Sequence, residues 1–181
     1  AAPYSTPSPP LYQARPPWNS TGTAEFKNAV IQELEAGAAI LSFIGHGSFS
    51  TWGLDTFFTT QDAAVLTNGG PVPFMVNVNC LAGGFHFLQA SGSLGEAMTN
   101  NPAGGAIATL APSGLSLAFV GEIMTDTMFA SLFGPTSERV LGIAESSLRS
   151  ALWSRGSIID LQSYTLLGDP AAILATPSPR P

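Results

Sequence analysis

Apolar positions along the chain alternate between two periods, and the alternation predicts a layered fold. Phe26, Val30 and Leu34 recur near helical spacing. Thr23 is placed to cap that helix, with Glu25 in its first turn and Gly37 to end it. Ala38 to Ile44 is a short unbroken apolar run, the pattern of a strand buried on both faces. A Gly/Ser/Thr-rich loop follows, then a short helix near Gln61–Thr67 that Asn68-Gly69-Gly70 terminates. Pro73 to Asn79 predicts a second strand. Ser93 with Glu96 forms a capping-box pattern for a helix to about Asn100. Gly105 to Leu110 predicts a third strand, and helices follow near 117–133 and 137–154. On the second of these, Val140, Leu141, Ala144, Leu148 and Leu152 supply an apolar stripe. Residues 157–167 read as helix and Ala171–Ala175 as a last strand. Together these elements predict an α/β fold in three layers, a mainly parallel sheet flanked by helices.

The ends break this pattern. Six prolines fall within residues 1–20, and the tail from Thr176 to Pro181 has the same character. Such segments favour extended conformations and build no core. The expected division is a proline-rich arm at 1–21, one globular unit at 22–175 and a tail at 176–181. The opening stretch has neither a basic nor an apolar block, so it reads as a mature or processed product rather than a signal peptide. Asn19-Ser20-Thr21 fits the N-glycosylation pattern.

Charge narrows the partners. Charged residues make up 10% of the chain, against roughly 25% in a typical soluble domain. So sparse a charge points to surface covered by a partner or by glycans. The net charge is −6 and Lys27 is the only lysine. Nucleic acid, which wants clustered Lys and Arg, is excluded as an expected partner. No apolar run approaches the ~18–20 residues of a membrane span.

The candidate chemistry lies where two strands end. The first runs into Gly45-His46-Gly47-Ser48, and the second into Cys80-Leu81-Ala82-Gly83-Gly84. In α/β sheets functional groups gather beyond the carboxyl ends of the strands. If the two strands are neighbours, His46 and Cys80 emerge on one edge, the placement a thiolate–imidazole pair requires. His46 would be the general base and Cys80 the nucleophile, with the amides of Gly47 and Cys80 as oxyanion-hole donors. Each residue also has a plain reading: a single cysteine after a strand can be packing, and a loop histidine can be merely polar. A metal site of Cys80, His86 and His46 would lack a fourth ligand at recognisable spacing, and no metal or other cofactor is expected.

The segment Ser42-Phe43-Ile44-Gly45-His46-Gly47-Ser48, followed 34 positions after the His by the Cys of Asn77-Val78-Asn79-Cys80-Leu81-Ala82-Gly83-Gly84-Phe85, resembles the catalytic core of the gingipain family (C25) of cysteine peptidases. Trp52, Ser93-Leu94-Gly95-Glu96, Gly104-Gly105-Ala106-Ile107-Ala108 and Leu167-Gly168-Asp169-Pro170 extend the resemblance over about residues 24–175. It implies a caspase-like fold, catalytic roles for His46 and Cys80, an oxyanion role for Gly47, a peptide or protein substrate, and a secreted or cell-surface location. Members of the family carry an upstream α/β subdomain that supplies an acid orienting the His and part of the specificity pocket. Here only the proline-rich arm stands before the His-bearing unit. An aromatic that follows the third strand in gingipains has no counterpart in Ala111-Pro-Ser-Gly-Leu-Ser116, so a preference for basic residues is not carried over. Glu96 and Glu122 are acids within the fold, but a carboxylate at a helix start is more often a cap.

Two functions follow from these observations. The first is a cysteine endopeptidase, or a processed catalytic subunit of one. The second is a gingipain-like module used in structure, surface assembly or secretion, with weak or no peptidase activity. In either case an upstream subdomain, a partner chain or self-association is expected.

Overall fold

The computed structural model describes residues 22–70, 72–87, 92–135 and 137–175. The proline-rich arm, the tail and the Asn19 site lie outside the described residues. The first helix, α1 (Thr23–Ala36), buries Phe26, Val30 and Leu34. Its cap is Gly22 rather than Thr23, because the Glu25 carboxylate reaches back to accept from the Gly22 amide at 2.7 Å. Gly37 closes the helix at φ 94°, its amide donating to the Leu34 carbonyl.

Four strands form the main sheet: β1 (Ile40–Ile44), β4 (Phe74–Val78), β5 (Ala108–Pro112) and β6 (Tyr164–Gly168), in that order. The β1–β4 and β4–β5 pairs are parallel, whereas β5–β6 is antiparallel. The sheet is therefore mixed and mainly parallel. Between β1 and β4 the chain makes a small antiparallel pair, β2 (Thr51–Trp52) and β3 (Phe58–Thr59), and the helix α2 (Thr60–Ala64). Helix α3 (Leu94–Thr99) precedes β5 and is capped as expected, Ser93 and Glu96 bonding each other's backbone. After β5 come α4 (Val120–Met124), a π-helical turn (Thr125–Phe129), α5 (Ala130–Phe133), α6 (Leu141–Ser154) and α7 (Ile158–Ser163).

Alternation along β4 divides the core into two halves. Phe74, Val76 and Val78 pack with Ala108, Leu110 and the buried faces of α4, α5 and α6. Met75 packs on the opposite face with α1, Trp52, Phe57, Phe58, Leu94 and Met98. Helices thus cover the sheet on both sides, giving the expected three layers.

Five expectations need correction. β1 is an edge strand with Ser42 and Ile44 exposed, not a strand buried on both faces, since it pairs with β4 alone among the described residues. The second helix begins at Thr60 and ends at Ala64, because the Thr59–Asp62 capping box fixes its start earlier. The third strand starts at Ala108 rather than Gly105, which turns at φ 84° to let Ala106 donate to the Met98 carbonyl. Residues 157–167 are not one helix: α7 stops at Ser163, and Tyr164 to Gly168 zip antiparallel along β5. No strand forms at 171–175, where Ile173 makes a single bridge to Val140. Val140 is accordingly the residue before α6, while Leu141, Ala144, Leu148 and Leu152 carry its buried stripe.

Candidate active site

The β1–β4 ladder pairs each residue with the one 34 positions later, from Ile40↔Phe74 to Ile44↔Val78. The Gly45 amide continues it, donating to the Val78 carbonyl at 3.0 Å. His46 and Cys80 are separated by the same offset. Each lies two residues beyond the last pair, past the carboxyl end of its strand. Among the described residues, however, no hydrogen bond joins sulfur and imidazole. The Cys80 thiol donates instead to the Ser116 carbonyl, a long contact of 3.9 Å. His46 is exposed and Cys80 half-buried. No carboxylate among the described residues pairs with the His46 ring.

The His46 side is built on a tight reversal. His46 carbonyl accepts from Gly53 at 2.8 Å and Ser48 donates to Thr51 at 2.9 Å, which places Gly47 opposite Trp52 in a bridge that uses neither residue's own amide. Trp52 anchors the reversal on β4. Its ring is buried, stacks on Phe43 at 4.5 Å, and donates from Nε1 to Asn77 Oδ1 at 2.7 Å. Gly47 lies directly on Asn79, where an added Cβ would come 2.9 Å from the carboxamide carbon. Glycine is required there by space rather than by backbone angle.

The Cys80 side is a strained turn. Leu81 adopts φ 66°, a left-handed conformation that costs a non-glycine residue about 1–2 kcal/mol. Its amide donates to Gly114, and Gly83 donates to Pro112, so the turn is held by the strand end and loop after β5. Gly83 has no room for a side chain, since a Cβ would lie 2.7 Å from the Ala111 carbonyl. Strain of this kind persists only where the surroundings over-determine it, and it gathers at functional sites. Among the described residues, neither the Gly47 nor the Cys80 amide has a hydrogen-bond acceptor.

Behind the cysteine, the Ser116 hydroxyl bonds Tyr164 at 2.9 Å, and buried Asp160 accepts from Leu117 and Ser157. Burial pushes the Tyr164 hydroxyl well above the usual phenol range. The Ser116 bond works against that rise, and the negative charges available to Asp160 and Cys80 add to it. Ile44 at the end of β1 and Leu115, Leu117 and Phe119 in the segment after β5 are exposed. His86 stands apart on the surface, its ring 4.2 Å from that of Phe87. Among the described residues no three His, Cys, Asp or Glu side chains gather as a metal-ligand group. Glu96 is occupied in capping α3 and Glu122 is exposed on α4. Asn77, Asn79, Leu81, Ser116 and Tyr164 were not expected at the site. The two asparagines had left a trace in the sequence, as polar residues two apart in an otherwise apolar strand.

A sequence profile of peptidase family C25 matches residues 3–175 of the 181. The chain belongs to peptidase family C25. Gingipain R2 and gingipain R1 of Porphyromonas gingivalis are each 36% identical to this chain over 58 residues, 32% of its length and 8% and 6% of theirs. Among solved structures, the Arg-specific cysteine proteinase gingipain R superposes with a TM-score of 0.72 at 23% identity, covering 82% of this chain and 36% of that one. A complex of the pro- and mature domains of the Porphyromonas gingivalis enzyme RgpB gives 0.72 at 22% identity, covering 82% and 37%. These likenesses establish the gingipain fold for this C25 chain, which spans little more than a third of the length of its structural neighbours. No described helix is long and apolar enough to cross a membrane.

Proposed function

We propose that this C25 chain is a cysteine endopeptidase, or the processed catalytic subunit of one, in which His46 and Cys80 act as base and nucleophile. One observation supports the reading: β1 and β4 are parallel neighbours, and a His and the chain's single Cys each follow the carboxyl end of one of them by two residues. In the reaction, His46 takes the thiol proton as Cys80 sulfur attacks the scissile carbonyl carbon. The oxyanion that forms is met by the open amides of Gly47 and Cys80. Collapse expels the amine, which leaves with the proton from His46, and the acyl group remains on sulfur as a thioester. Water, deprotonated by His46, then releases the carboxylic acid product. The sulfur must turn from Ser116 toward the imidazole for this sequence to begin, and resting sites are often loose in this way. The reading carries with it a peptide or protein substrate and a secreted or cell-surface location. It also carries a partner over the open β1 edge, supplied by an upstream subdomain, another chain or a second copy.

The thiol contact to Ser116 favours a second reading, a structural or assembly module with an idle pair. Cleavage of a peptide mixture by the full chain and its assembly partners separates the two. Under the peptidase reading, Cys80→Ala abolishes cleavage and His46→Ala slows it by about 10²–10⁴-fold. Cleavage that survives Cys80→Ala contradicts the reading. No cleavage, with an ordinary Cys80 thiol, supports the module.

A further inference from the structure

The side chain of Asn79 has no evident structural employment. It is 3% exposed, and neither Oδ1 nor Nδ2 finds a partner. A buried carboxamide with both ends unsatisfied weighs against the folded state, and native folds contain few. Asn77, two residues earlier on β4, has a task, receiving the Trp52 indole. Asn77 lies on β4 and Asn79 just past its end, and the bridged pair Gly47↔Trp52 sits over them, Trp52 on Asn77 and Gly47 on Asn79. The segment that carries His46 is therefore seated on the nucleophile strand at two points. One is a hydrogen bond. The other is close packing of a carboxamide on a glycine Cα, immediately before Cys80.

We propose that Asn79 is a positioning residue of the active site, its carboxamide setting the height of the His46–Gly47 segment above the Cys80 strand. This rests on His46 and Cys80 being the catalytic pair. Asn79 touches neither substrate nor reacting atoms. It acts through Gly47, whose amide and that of Cys80 must converge on one oxygen, and through His46 one residue earlier. A larger side chain at 79 lifts the segment, and a smaller one lets it settle.

The single cysteine allows a direct test, because iodoacetamide uptake by the full chain reports Cys80 alone. Uptake is measured against pH beside thermal melting for Asn79→Leu, Asn79→Ser, Gly47→Ala and His46→Ala. Asn79→Leu removes two unsatisfied polar atoms but carries bulkier methyl ends that lift the segment, so gain and overpacking offset each other and it melts close to wild type. Its Cys80 nevertheless alkylates about ten- to a hundredfold more slowly at neutral pH, the loss that displacement near 1 Å produces. Gly47→Ala slows alkylation similarly, and Gly47→Ala with Asn79→Ser recovers part of the rate, since serine makes room for the new Cβ. A purely structural asparagine would move melting and reactivity together. The proposal is overturned if Asn79→Leu keeps the wild-type rate and pH profile while His46→Ala loses them, a result that leaves the catalytic pair standing. Should Asn79→Leu not fold, a wild-type profile in Asn79→Ser overturns it equally. If His46→Ala itself alkylates like wild type, the catalytic pairing fails and the positioning role fails with it.

Discussion

Replacing Trp52 by Phe tests how the His46 segment is held. Phenylalanine keeps an aromatic ring against Phe43 and Phe58, whose centroids lie 4.5 and 4.9 Å from that of Trp52. It cannot donate, so Asn77 loses the 2.7 Å bond that is its one partner. Asn77 is fully buried and its Nδ2 is already unsatisfied. Stranding a buried acceptor costs about 1–3 kcal/mol. For a chain of this size each kcal/mol lowers the melting temperature by roughly 2–4 °C, so Trp52→Phe should melt roughly 2–12 °C below wild type. Adding Asn77→Leu removes the stranded group and should recover most of the loss, because deleting both partners is far cheaper than deleting one. Circular dichroism melts of the two single variants and the pair make the comparison. A Trp52→Phe protein that melts with wild type, or a pair no better than that single variant, would refute the anchoring of the hairpin on β4.

Three further outcomes follow from particular contacts. Gly105→Ala combines φ 84° with a Cβ that meets the Met98 carbonyl, and urea unfolding should show a loss of at least about 2 kcal/mol. Burial pushes the Asp62 carboxyl up, but the Lys27 and Thr59 hydrogen bonds and the Lys27 charge outweigh it, leaving it below its ordinary 3.8. The stabilisation is therefore present above about pH 4 and lost as pH falls through the lowered value. Asp62→Asn should melt below wild type at pH 7 and converge on it in acid. Tyr164 is shifted the other way, so its contribution is complete below the ordinary phenol value and fades as pH climbs past about 10. Tyr164→Phe should lose about 0.5–1.5 kcal/mol at pH 7 with its bond to Ser116, and should show a shallower decline in alkali. Equal alkaline slopes would contradict that account.

The parts of the fold legible in the sequence are those whose signals are local. The stripe of Leu141, Ala144, Leu148 and Leu152 repeats at helical spacing, and the core accepts it as such. Phe74 to Val78 is apolar enough to declare a central strand, and its alternation sorts the two halves of the core. What stayed hidden depends on distant partners. Leu161, Tyr164 and Leu167 imitate a helical stripe, and only the antiparallel ladder with β5 turns Tyr164–Gly168 into a strand. The two-residue strands β2 and β3 are set by Trp52 reaching Asn77, 25 residues away. His46 and Cys80 stand out in the sequence because each lies just past an apolar strand, His46 between two glycines and Cys80 shortly before Gly83-Gly84. Asn79 does not, because a buried polar residue at a strand end shows its purpose only when its neighbour across the fold, Gly47, is known.

The catalytic pairing is tested most directly by the rate of Cys80 alkylation at neutral pH in wild type and in His46→Ala. An imidazole that takes the thiol proton raises the share of reactive thiolate. The account predicts that wild type alkylates faster than His46→Ala, with the fold unchanged by circular dichroism. Equal rates in the two proteins would contradict it.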